Sequence, residues 1–231
     1  MNRIYIPATQ IADWQKLLAE PEKHWRAGFS AMAIAESWHH ANGFPAAVSS
    51  VLKAAGEPLS SVTPLLIFPE HRVDLPPRGS RPSQNDVWVL ARHDEGLASI
   101  TVEGKVSEAF GPTVQEWQKS ASEGKRERLD YLKGMLGLSR ELPDALRYQL
   151  LHRTASAVIE AKRFRADTAV MLVQSFSGDD IGLQDYRAFA QLFGYDAPPD
   201  EVRRAATVDG ITLYLGWVRD RSIQLTAAAT T

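Results

Sequence analysis

Apolar positions recur along this chain in two periods. A period near 3.6 marks helices, and the first three come early. One runs from Gln10 to about Ala19, capped by Thr9 and stopped at Pro21. A second runs from Ala31 to about Ala41, begun at Ser30 and ended by Asn42-Gly43. A third carries Pro45 in its first turn and continues to about Ala54, with Gly56 as its stop. The run Val62–Phe68 then predicts a strand, and the Pro- and Arg-rich segment Pro69–Pro82 a loop. Alternation takes over in Asp86–Arg92 and Leu97–Val106, separated by His93-Asp94-Glu95-Gly96, which reads as a β-hairpin. Thr113 caps a short helix through Trp117, and a further helix spans about Arg126 to Leu136. Pro143 starts a long one, about Asp144 to Arg163, with Leu146, Leu150, Ala157, Val158 and Ala161 on its apolar face. Thr168–Phe176 is a buried strand, Leu183 to about Leu192 a helix ended by Gly194, and Ile211–Val218 a last strand after Asp209-Gly210. The tail from Thr226 is small and polar and is expected to fray.

This order predicts an α/β (α+β) fold: a central mixed sheet flanked by helices, in one domain over residues 1–231, with a helical block over 1–60 and a sheet-and-helix core over 61–218. Composition fits a folded domain, with 44% hydrophobic and 23% charged residues. The absence of cysteine excludes disulfides and thiolate metal sites. A net charge of -2 argues against wholesale coating of nucleic acid and leaves room for a local basic patch. No signal-like leader and no run of roughly 20 apolar residues is present, so a cytoplasmic, bacterial protein without a membrane span is expected.

The hairpin is where chemistry is suggested. Side chains alternate, so Glu103 and Lys105 share a face while Gly104 points to the other. If Arg92 pairs with Leu97 across the four-residue loop, Asp86 falls opposite Glu103. Two carboxylates and an amine so placed suit a hard divalent cation, Mg²⁺ or Mn²⁺, and a polarised water. The chain holds three Glu-x-Lys triplets, at Glu103, Glu123 and Glu160. The second lies in a polar stretch and the third in a helix, where positions i and i+2 diverge; the first alone lies on a strand with an acid across from it. A cross-strand salt bridge leaves the same letters, and both readings stay open.

Asp86 followed by Glu103-Gly-Lys105 on the next strand, after a helix and a strand, resembles the PD-(D/E)XK signature of restriction-endonuclease-like nucleases, over roughly Ser30 to Phe176. Ser-Gln-Asn-Asp86, Val-Glu-Gly-Lys-Val and Glu108-Ala-Phe-Gly are similar to a small family of uncharacterised bacterial proteins with this core. The resemblance implies a restriction-endonuclease-like core and metal-dependent hydrolysis of DNA phosphodiesters, with Asp86 and Glu103 as metal ligands and Lys105 as the catalytic amine. It adds Glu36 on the first core helix as a third ligand and Tyr148-Gln149 on a later helix beside the site. Asn85 stands where the signature has proline.

Arg78, Arg81, Lys125 and Gln149 are the candidate substrate contacts, the cations as phosphate binders. Glu36 also reads as an exposed helix acid, Glu108 as a turn carboxylate, and His39-His40 as a solvated helix end. Two further readings compete with the nuclease: a catalytically silent protein of the same fold that binds or assembles, and a structural ion pair in an unrelated α+β domain.

Overall fold

Alternation places the two cores of this protein on opposite faces of one sheet. In the computed structural model, which describes residues 4, 8–77, 81–119 and 122–222, six strands form a mixed sheet in the order β1-β2-β3-β4-β6-β5. The strands are β1 (Thr63–Val73), β2 (Ser83–Arg92), β3 (Leu97–Lys105), β4 (Thr168–Ser175), β5 (Glu201–Val208) and β6 (Ile211–Arg219). The helices are α1 (Ile11–Gln15), α2 (Pro21–His24), α3 (Ser30–Ala41), α4 (Ala46–Ala54), α5 (Val114–Gln118), α6 (Glu123–Met135), α7 (Tyr148–Phe164) and α8 (Leu183–Ala190). The β1-β2-β3 pairs are antiparallel, β3-β4 and β4-β6 parallel, and β6-β5 antiparallel.

Ile100, Val102, Val170 and Leu172 face one side and pack with Ile34, Trp38, Val48 and Leu52 of α3 and α4. Ala169, Met171 and Val173 face the other and pack with Leu150, Leu151, Ala157 and Val158 of α7 and with α6 and α8. β4, covered on both sides, is buried at every position, as its unbroken apolar run requires. A buried polar cluster ties α3 to the sheet: Trp38 Nε1 donates to Gln174 Oε1 at 2.8 Å, and Gln174 Nε2 donates to Asp220 Oδ2 at 2.7 Å.

Several boundaries differ from the pattern, each for a physical reason. The strand expected to end at Phe68 runs on to Val73, so the segment read as a loop from Pro69 opens with five strand residues. β1 is an edge strand, where proline is tolerated because its missing N–H faces away from the ladder. The long helix begins at Tyr148, not near Asp144, because Leu146 and Arg147 pair with the Thr113–Val114 segment instead. The first helix is only Ile11–Gln15, with Gln10 in place of Thr9 at its N-cap. β5 has no counterpart in the apolar pattern; it is a largely exposed edge strand joined to β6 by Asp209-Gly210, both at positive φ as a tight hairpin turn demands.

The β2-β3 register is the one expected, with Arg92 opposite Leu97 and Val87 opposite Val102. Gly104 owes its identity to α3. A Cβ there would sit 2.5 Å from Ile34 Cγ1 and 3.2 Å from Asp86 Oδ2. Gly104→Ala is therefore expected to lower stability by about 1 to 3 kcal/mol in urea unfolding, since neither the core side chain nor the bonded carboxylate yields freely.

Candidate functional site

Three adjacent strands each deliver one carboxylate to the same place. The β2-β3 register continued one step past Val87–Val102 sets Asp86 beside Glu103. The β1-β2 pairs Pro69–Val87 and His71–Asn85 bracket Glu70 opposite Asp86. Glu70, Asp86 and Glu103 line one cavity of about 310 Å³ together with Lys105, Gln84, Gln149 and Arg153. The last two come from α7, where a spacing of four puts them on one helical face over the end of β3. Glu70 sits in the left-handed region at φ 52°, a strained conformation for a residue with a side chain.

Glu103 is the organising group. It is 3% exposed, yet both of its oxygens accept hydrogen bonds from protein donors. Oε1 accepts from Lys105 Nζ and Gln149 Nε2, each at 2.7 Å, and Oε2 accepts from Arg153 Nε at 2.5 Å. Burial alone would raise its pKa; the Arg153 and Lys105 charges overcome burial and lower it to about 2. Asp86 accepts a hydrogen bond from the Gly104 N–H at 2.7 Å, and Glu70 one from Gln84 Nε2 at 2.7 Å. Among the described residues, neither forms an ion pair of its own like those that Glu103 makes with Lys105 and Arg153. Burial, then the Glu103 charge, pushes Asp86 up to about 7; burial, then the Asp86 charge, pushes Glu70 up to about 8. The cavity thus holds one carboxylate whose pKa is lowered by its cationic partners and two whose pKa values are raised by burial and by one another.

The candidates read from the sequence separate into two groups. Asp86, Glu103, Lys105 and Gln149 meet in this cavity. Glu36 is on α3 but does not line it, and Arg81 and Lys125 line a different cavity with Tyr148. Arg78 lies outside the described residues. Glu108 caps α3, its Oε1 accepting from Ser30 N at 2.7 Å and its Oε2 from Val106 N at 3.0 Å, so it serves as a turn carboxylate. The other two triplets fall as their context suggests: Lys125 is on the first turn of α6, and Glu160 and Lys162 diverge on α7 towards His71 and Asp209.

Sequence reasoning missed Glu70 and Arg153. Arg153 carried a usable signal, four residues beyond Gln149 on the same helix. Glu70 was hidden by Pro69.

Among the described residues, no three His, Cys, Asp or Glu side chains are grouped as a metal centre. The available oxygen donors are the carboxylates of Glu70 and Asp86, since those of Glu103 are taken. Two carboxylates with waters are a donor set that suits Mg²⁺ better than any softer ion.

Over residues 7–222 the sequence matches the model of a family described as a domain of unknown function, DUF6946. The chain belongs to the DUF6946 family. No curated protein and no solved structure matches it. The six-stranded mixed sheet and its carboxylate cavity are therefore features of a DUF6946 chain seen on their own terms. No helix among its described residues is long and apolar enough to cross a membrane.

Proposed function

We propose that the carboxylate cavity is the active site of a metal-dependent phosphodiester hydrolase acting on DNA. The observation that carries this reading is the convergence of Glu70, Asp86 and Glu103 from three strands around Lys105 in one open cavity. The order helix, three-strand meander, helix and parallel strand also agrees with the core that the PD-(D/E)XK resemblance implies.

A bound Mg²⁺ or Mn²⁺ would supply Lewis-acid polarisation and a more acidic water. Asp86 and Glu70 are its carboxylate ligands in this reading, which replaces the expected set of Asp86, Glu103 and Glu36. Glu103 has a different part. Locked by Arg153, it holds Lys105 Nζ at 2.7 Å and so fixes the amine at the cavity wall. Gln149, which accepts from Lys105 at 3.4 Å, limits its rotation. A cation so held in a poorly solvated site stabilises the negative charge that develops on the phosphoryl oxygens. Arg153 adds a second positive charge at the same carboxylate.

One observation favours a second reading, a catalytically silent binding module of the same fold: both Glu103 oxygens are already satisfied by protein donors. Incubation of purified protein with single- and double-stranded DNA and Mn²⁺ decides between them. The hydrolase reading expects cutting that Lys105→Gln removes while circular dichroism stays unchanged. Cutting that survives in Lys105→Gln would exclude the assigned site. No cutting by the wild type, with Mn²⁺ still bound, would leave the binding module.

A further inference from the structure

The lining of the carboxylate cavity is graded from floor to mouth. Glu103, Lys105 and Arg153 are buried, and Glu70 and Asp86 are half-buried. Ala19, His24, Ala109 and Gly111 are exposed and form the mouth. One rim belongs to the N-terminal block, with Leu18 and Ala19 just after α1 and His24 at the end of α2. The other belongs to the segment that follows β3, through Ala109 and Gly111.

Both rims are pinned. Gln84 Nε2, which holds Glu70, also donates to the Leu17 carbonyl oxygen at 3.4 Å. Gly111 N donates to Gln149 Oε1 at 3.2 Å. Glu108 joins the two sides: its Oε1 accepts from Ser30 N at 2.7 Å, and its Oε2 from Val106 N and Ser107 N. Behind the first rim, Trp14 is 2% exposed in the core it shares with α3, and its Nε1 donates to His39 Nδ1 at 3.4 Å. The block is therefore built into the core, and its rim is a fixed wall beside the carboxylates.

These walls decide what can reach the floor. A volume of about 310 Å³ is at the low end for ligand pockets, which span about 300 to 1,000 Å³. A phosphodiester within a duplex lies on a stiff rod, with a paired base behind it and a second strand alongside. Docking such a rod also draws on several cations at once, spread along its phosphates. Among the described residues, the Lys and Arg of the lining are Lys105 and Arg153, and both are paired with Glu103. A lone strand bends at each nucleotide, so one sugar-phosphate link can descend between rim residues as small as Ala19, Ala109 and Gly111. The His24 side chain is 46% exposed at the mouth, where its ring offers a flat face to an unpaired base.

We propose that this site takes single-stranded DNA and excludes the duplex, with the N-terminal block as the excluding wall and His24 as a stacking platform for a base beside the scissile link. The inference rests on the hydrolase reading and names its substrate class. Base pairs must open before a duplex can enter, and that cost is absent for a strand that is already single.

Fluorescence anisotropy of the full chain with Mn²⁺, read immediately after mixing, tests this with a labelled short single strand and the blunt duplex of the same sequence. Cutting of the same two DNAs is then followed. The strand is expected to bind at least about tenfold more tightly than the duplex and to be cut at least about tenfold faster. His24→Ala should weaken strand binding about tenfold and leave duplex binding and circular dichroism unchanged, and His24→Phe, which restores a flat ring, should recover the strand affinity. A chain that cuts neither DNA would defeat the hydrolase reading, and the affinity ratio would still decide this inference. Equal affinity for strand and duplex, tighter duplex binding, no binding of either DNA, a duplex cut as fast as the strand, or folded His24→Ala that binds the strand as the wild type does would overturn the proposal.

Discussion

Exchange of Glu103 for glutamine is expected to cost the fold about 3 to 5 kcal/mol in urea unfolding at pH 7. The size follows from what the exchange leaves behind. Arg153 and Lys105, 8% and 4% exposed, both lean on this carboxylate. A neutral amide keeps the shape and some of the hydrogen bonds, but it strands two buried cations. Asp86 and Glu70 are close enough to answer by ionising more fully, since the Glu103 charge is one of the causes that raise each of them. That compensation pulls the cost towards the lower end of the range. The pH profile provides a second check. The pKa of Glu103 is lowered in the fold from 4.5 to about 2, so its stabilisation is fully present above pH 4.5 and is lost as the pH falls towards 2. The gap between wild type and Glu103→Gln should therefore close over that acid window. A gap that stays constant with pH would mean that the network around Glu103 is not electrostatic in origin.

The parts of this site that the sequence revealed are those governed by local rules. A four-residue loop and strict alternation fix the hairpin register, and the register sets Asp86 beside Glu103 without any tertiary information. Gln149 was accessible from the resemblance. Glu70 was not, because its visibility depends on β1 continuing through Pro69, and only its place at the sheet edge permits that. The role of Glu103 was also out of reach. On a strand, an acid beside a lysine reads equally as ligand or ion pair; Arg153, fifty residues on, decides that its oxygens are occupied. Arg81 and Lys125 show the converse. Both are cations in polar segments near the motif in sequence, but α6 and the β1-β2 connection carry them to a separate cavity. The exposed edge strand β5 escaped notice because only Val202 and Val208 of its eight residues are buried.

The carboxyl pair of Asp86 and Glu70 should make the stability of this protein depend on pH and on divalent cations together. In the fold both pKa values are raised, to about 7 and about 8, from ordinary values of 3.8 and 4.5. The folded chain holds those protons longer than the unfolded chain does, so stability falls as the pH rises from about 4 through 8. A variant with Asp86→Asn and Glu70→Gln lacks this slope and should gain on the wild type over the same range. A cation bound by the two carboxylates acts in the opposite sense. It must displace protons at pH 6 and meets ionised ligands at pH 8, so its effect should grow with pH. At a Mn²⁺ concentration about 100 times the dissociation constant, the gain at pH 8 is about 2.7 kcal/mol. Lys105 and Arg153 face the same carboxylates and oppose a cation, which places the dissociation constant above that of a site built of acids alone. Thermal unfolding with and without Mn²⁺ at the two pH values, in wild type and double variant, reads all of this directly. Equal stabilisation of the double variant, or a gain that does not change between pH 6 and pH 8, would show that the cation binds elsewhere and would remove the metal from this cavity.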